Sequence, residues 1–88
     1  MADLNLPEQP TLKDIQEYVD LLVTQRGFDK TDVAKKFMML TEEVGEFAKA
    51  ARKSAGMKLA DDASKTDMAD EAADVLIVLA GLCNMLGI

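Results

Sequence analysis

The chain contains no histidine and no tryptophan, and it has a single cysteine, Cys83. Zinc sites are assembled mainly from Cys and His, so zinc is disfavoured. The missing histidine excludes the Glu-x-x-His pairs of di-iron helical bundles. One cysteine cannot close an internal disulfide, and its setting in the apolar run 75–83 predicts an inert, buried thiol. Aromatic residues are only 5% of the 88 residues, whereas the apolar set as a whole reaches 49%. Any core must therefore be built from Leu, Val, Ala and Met, the vocabulary of packed helices. Prolines number two, Pro7 and Pro10, both in the first ten residues, and the rest of the chain is free to be helical. Basic residues are outnumbered, ten Lys and Arg against sixteen Asp and Glu, for a net charge of −6. No Lys/Arg stripe is available to replace phosphate counterions, so a nucleic-acid polymer is not an expected partner. The longest apolar run breaks at Asn84, well short of the roughly 20 residues that span a bilayer. The first ten residues lack the basic start and apolar stretch of a signal peptide. We expect no membrane association and a cytoplasmic location.

What is present reads as an N-terminal arm, residues 1–10, followed by one helical domain, residues 11–88. Thr11 with Asp14 three residues on is a capping box, and Leu12, Ile15, Val19, Leu22 and Val23 recur at helical spacing up to Arg26. Gly27 can end that helix. Residues 28–31 form the turn, and Thr31 or Asp32 can cap a second helix over 33–54. Val33, Phe37, Leu40, Val44, Ala48 and Ala51 are its expected core stripe, with Phe47 at the edge. Residues 54–66 carry Gly56, alternating charge and little periodicity, which predicts a loop of functional length. A third helix is expected from Thr66 or Asp67 to about Leu86, stopped by Gly87. Its middle, residues 75–83, is apolar on every side and needs neighbours on every side. Three helices of so short a chain supply few of these, so we expect a homodimer or homotetramer with third helices at the subunit interface. The predicted fold class is all-α, an antiparallel bundle of three main helices completed by oligomerisation.

Chemistry enters with the acids. The second helix carries Glu42, Glu43 and Glu46, and the third carries Glu71 and Asp74. Residues three or four apart share a helix face, so Glu43 pairs with Glu46 and Glu71 with Asp74. Glu43 and Glu46 are expected about 90° and 150° from the centre of the core stripe, on a flank that antiparallel packing would bring toward the second pair. Four carboxylates so placed repel one another unless a cation sits among them. Oxygen donors of this kind suit a hard divalent ion, magnesium above all, with manganese as the alternative. The spacing alone leaves two readings open, a metal site and a solvated acidic face. Glu71 and Asp74 run directly into the most apolar segment of the chain, where unpaired charge is costly, and this favours the metal.

The pattern Glu42-Glu43-x-x-Glu46, then Glu71-x-x-Asp74 followed by Val-Leu-Ile-Val-Leu, resembles the signature of the MazG-like all-α nucleoside triphosphate pyrophosphohydrolases. Residues 37–52 resemble that family's second helix throughout, and residues 70–88 its third. Residues 11–28 resemble the opening helix and aromatic-containing turn of its dCTP-pyrophosphatase branch. The resemblance implies magnesium-dependent hydrolysis of a (deoxy)nucleoside triphosphate to monophosphate and pyrophosphate. It assigns Glu43, Glu46, Glu71 and Asp74 to the metal, and Glu42 to a catalytic part as outer-shell base, orienter of water or second-metal ligand. Phe28 matches the position of a base-contacting tryptophan, and Lys53, with Arg52, Lys36 and Lys65, is a candidate for phosphate contact. The histidine of the dCTP branch's first helix falls at Val19 here, so no preference for cytosine follows. Many family members continue into a further helical segment with basic residues. We expect either that this chain is a minimal or truncated version or that another subunit supplies those charges. The competing reading is a non-catalytic helical-bundle interaction protein with an acidic surface.

Overall fold

The computed structural model describes residues 5–27, 31–55 and 65–88, except the side chains of residues 54 and 65–67. Three helices account for most of them: α1 is Leu12–Gln25, α2 is Val33–Ser54 and α3 is Lys65–Met85. No strand occurs among the described residues, and the all-α expectation holds.

The helix ends are set by local chemistry. Thr11 Oγ1 accepts from the Asp14 amide at 3.1 Å, and Asp14 Oδ2 accepts from the Thr11 amide at 2.9 Å, so the capping box forms as expected. Asp32, not Thr31, caps α2, accepting from the Lys35 amide at 2.8 Å. At the end of α3 the Ile88 amide reaches the Cys83 carbonyl and the Gly87 amide reaches that of Asn84. That pair of bonds is a Schellman motif, which requires a left-handed residue at Gly87, observed at φ 72°. Gly27 takes the same left-handed conformation after α1, at φ 75°.

Helix α3 is the middle of the molecule. It packs against both α1 and α2, while the backbones of α1 and α2 do not meet. Both pairs are antiparallel. Along the α1/α3 seam Gln16 lies beside Asn84 and Val19 beside Gly81. Along the α2/α3 seam Lys36 lies beside Gly81 and Glu43 beside Asp74. Asn84, the polar residue that interrupts the apolar run, is what fastens α1. Its Nδ2 donates to the Gln16 carbonyl at 2.9 Å, and Gln16 Nε2 donates in turn to Asn84 Oδ1 at 3.1 Å and to the Ile88 carbonyl at 2.7 Å. Among the described residues the buried apolar core is small: Val19, Ala50, Val78, Ala80 and Leu82. Cys83 is only partly covered, at the edge of an apolar groove between α1 and α3, because the third helix has neighbours on two sides and not on all.

The face that α2 turns toward α3 differs from the expected stripe. Phe37 and Val44 are about half exposed, at 49% and 48%, and Ala48 is exposed as well. Val33, Leu40 and Ala51 of that stripe are covered; Lys36, Glu43, Phe47, Ala50 and Lys53 are covered as well, and the run 33, 36, 40, 43, 47, 50 has alternating spacings of three and four. The apolar arc of α2 is wider than one neighbouring helix can cover. The seam settles on the side where the aliphatic stem of Lys36 can lie flat, and that shift carries Glu43 inward. No helix among the described residues is long and apolar enough to cross a membrane.

Candidate metal centre

Glu43 projects from the middle of α2, and Glu71 and Asp74 from α3, three residues apart and so on one face of their helix. Because the two helices run antiparallel, these three meet across the seam, and one carboxylate oxygen from each lies within 4.8 Å of the others. Glu43 and Glu71 are partly buried and Asp74 is exposed. The cluster is thus anchored in the helix interface and open on one side. Glu43 sits on the seam itself and not on the expected flank.

Electrostatics mark Glu71 as its centre. Partial burial, followed by the negative charges of Asp74, Glu43, Glu46 and Asp70, raises its carboxyl above the ordinary value of 4.5. Burial and like charge both disfavour the ionised form, and here they act together on one group. Asp70 was not singled out in the sequence. It lies beside Glu71, one position outside the i,i+3 pattern that revealed the pair.

Of the four expected ligands the structure brings three together. Glu46 is exposed and lies outside the trio, though close enough for its charge to act on Glu71. Glu42 is exposed and points about 100° away from Glu43 around the helix. Lys53 and Arg52 lie more than two turns further along α2, roughly 14–15 Å from Glu43 at 1.5 Å per residue, so neither is drawn into the cluster. Lys36 is the surprise among the basic residues. It is not a surface charge but only 5% exposed, with its stem laid over Gly81. A Cβ on that glycine would stand 3.1 Å from Lys36 Cε, 3.3 Å from Nζ and 3.6 Å from Val19 Cγ1. The clue in the sequence is a shared heptad: Lys36 precedes Glu43 by seven residues, and Gly81 follows Asp74 by seven. Phe28 and the side chain of Lys65 lie outside the described residues.

The donor set fits a hard divalent cation. All three groups offer carboxylate oxygens, the donors a hard divalent ion prefers, and one oxygen from each lies within 4.8 Å of the others. The uncompensated repulsion at Glu71 is what a cation there would relieve.

A family model described as phosphoribosyl-ATP pyrophosphohydrolase matches residues 12–88, from the first residue of α1 to the end of the described chain. Comparison with curated proteins gave no match, and comparison with solved structures gave none. The match, the three-helix fold and the carboxylates meeting across α2 and α3 agree: the chain belongs to the phosphoribosyl-ATP pyrophosphohydrolase family, within the MazG-like all-α nucleoside triphosphate pyrophosphatases that its acidic motif resembles.

Proposed function

We propose that the protein is a magnesium-dependent pyrophosphohydrolase that converts a nucleoside triphosphate to its monophosphate and pyrophosphate in the cytoplasm. The observation that carries this reading is the Glu43–Glu71–Asp74 cluster, three carboxylates from two helices with oxygens within 4.8 Å. These three hold the ion, with Glu46 reaching it from the exposed side, and manganese can replace magnesium. When bound, the ion supplies positive charge that neutralises the triphosphate and favours ionisation of the attacking water. The residues of the chain do the positioning. Glu43 and Glu71, fixed by the helix seam, orient the ion-binding face, and Asp74 marks the open side from which substrate enters. Glu42 accepts a proton or orients water from the outer shell, Lys53 meets a phosphate, and Phe28 stacks on the base.

The substrate is a nucleoside triphosphate or a derivative that keeps the triphosphate. The family description favours phosphoribosyl-ATP, which is such a derivative. A panel of ribo- and deoxyribonucleoside triphosphates together with phosphoribosyl-ATP, assayed for pyrophosphate with magnesium and with chelator, tests the proposal. Magnesium-dependent pyrophosphate from at least one of them is expected. Release of single phosphate ions, or turnover indifferent to chelator, would refute it.

A further inference from the structure

In the run 33, 36, 40, 43, 47, 50 along which α2 is covered, two residues are charged, Lys36 and Glu43. The cation proposed above accounts for Glu43. It does not account for Lys36. Seven residues are two turns, roughly 10.5 Å along the axis, and Gly81, beside the lysine, stands equally far from Asp74 on α3. The side chain makes no hydrogen bond or ion pair among the described residues, although the residue is only 5% exposed. No buried nitrogen or oxygen atom among those residues lacks a partner, so the ammonium is not sealed in. Its stem is covered and its tip reaches water.

The place is the junction of the three helices. Helices α1 and α2 flank α3 without meeting each other along their backbones, so α3 floors the space between them. The Lys36 ammonium stands on that floor, beside Gly81 of α3 and near Val19 of α1. Packing alone does not call for a lysine there. Methionine would fill the same space without a charge that gives up most of its hydration. The glycine also carries a cost, since inside a helix it is less favourable than alanine. Its missing methyl would stand 3.3 Å from Nζ. A cation with three donors and no partner, next to backbone left bare, is what a site for an anion requires.

We propose that Lys36, with Gly81 beside it, is a second subsite that takes a phosphate group of the substrate not held by the cation. The identity of the ligand rests on the reaction proposed above. A chain of net charge −6 repels polyphosphates as a whole, so each phosphate has to be met by a local positive charge. The divalent ion supplies one at the carboxylate trio, and Lys36 supplies another two turns along the same seam. Two substrate phosphates have the required chemistry. One is the end of the triphosphate remote from the ion, and the other is the additional phosphate that phosphoribosyl-ATP carries and ordinary nucleoside triphosphates lack.

Inorganic phosphate in chelator is the first probe, because the trio without metal repels anions and cannot mimic the effect. Titrated at constant ionic strength, phosphate should raise the melting temperature of the wild type. Lys36→Met keeps an unbranched stem over Gly81, so helical circular dichroism should be unchanged while the rise is lost. Lys35→Met removes the same charge one residue away, at an exposed position, and should keep the rise. With magnesium and substrate, Lys36→Met should raise KM about tenfold or more, the worth of one charged hydrogen bond, with kcat little changed. A higher KM for nucleoside triphosphates and phosphoribosyl-ATP alike assigns Lys36 to the triphosphate, and a higher KM for phosphoribosyl-ATP alone assigns it to the additional phosphate. Unchanged KM for both overturns the proposal. So does a wild type that phosphate fails to stabilise, or a Lys36→Met variant that it stabilises equally. No pyrophosphate from any substrate, with the phosphate effect intact and lost in Lys36→Met, refutes the reaction and supports the subsite.

Discussion

Replacing Glu71 with glutamine tests whether the carboxylate cluster exists for a cation. Glu71 is held above its ordinary value of 4.5 by partial burial and then by Asp74, Glu43, Glu46 and Asp70. An acid whose pKa is raised on folding binds more protons in the folded state than in the unfolded state. Its ionisation therefore costs stability, and the cost develops as pH rises from the unfolded value through the folded one. Metal-free wild-type protein should lose stability over that window, from about pH 4.5 upward, and keep the loss at neutral pH. The glutamine variant has the same shape and no proton to lose, so it should lack that part of the slope and melt no lower than wild type at pH 7 in chelator. Magnesium reverses the comparison. At ten times its dissociation constant a ligand bound only by the folded state adds about 1.4 kcal/mol. For a domain of this size that raises the melting temperature by roughly 6–11 °C. The variant, with two charged ligands of the trio in place of three, should respond by a few degrees at most, and its pyrophosphate release should collapse. Melting curves of both proteins across pH 4–8, with magnesium and with chelator, read every part. A variant that melts lower than wild type in chelator, with magnesium shifting neither, means that the acids are structural and the metal assignment is wrong.

Glu43→Gln and Asp74→Asn should abolish turnover as fully as Glu71→Gln, whereas Glu46→Gln should cost less, because Glu46 lies outside the trio; equal losses in kcat at all four positions would contradict that ranking. Gly81→Ala drives a methyl to 3.1 Å from Lys36 Cε, and the strain offsets the gain of up to about 1 kcal/mol that alanine brings to a helix. In a double-mutant cycle with Lys36→Ala the two positions should couple by about 1 kcal/mol, measured by urea unfolding, and additive effects would show that the contact carries no energy. Phe28→Ala should raise KM with the fold intact, since loss of base stacking costs about 1–3 kcal/mol in nucleic-acid systems. A lower melting temperature with KM unchanged would instead make Phe28 a packing residue.

Much of the architecture could be read from the sequence because the signals are local. The Thr11–Asp14 capping box, the left-handed stops at Gly27 and Gly87, and the i,i+3 spacing of Glu71 and Asp74 each involve residues within one turn of one another. The face of α2 could not be read in this way. Its apolar arc spans Leu40 at one edge and Met38 at the other, and which part is covered depends on where α3 comes to rest. Counting hydrophobic residues places the stripe on Val33, Phe37, Leu40, Val44, Ala48 and Ala51, and three of these, Phe37, Val44 and Ala48, are exposed because Lys36 and Glu43 take the covered places between them. In the folded chain the Lys36 stem behaves as an apolar side chain over Gly81, and Glu43 is drawn in beside it. The same reasoning puts Glu43 on a flank, whereas it lies on the seam.

The location of the trio follows from what a cation site requires of a helical scaffold. Ligands must be held within fractions of an ångström, which favours rigid elements over loops. Glu43 is ten residues from the start of α2 and eleven from its end, far from the fraying of either terminus. Glu71 and Asp74 lie beyond the first turn of α3, where the backbone is already fixed by its own hydrogen bonds. Placing carboxylates at such positions sacrifices core, and the seam shows it: between Lys36 and Ala50 no residue of α2 is buried among the described ones. A chain with so small a core can tolerate that only if stability comes from elsewhere. The source open to it is a cation, which would turn the repulsion at Glu71 into binding energy. A cation bound only by the folded state should raise the melting temperature of the wild type, and Glu71→Gln should remove most of that rise.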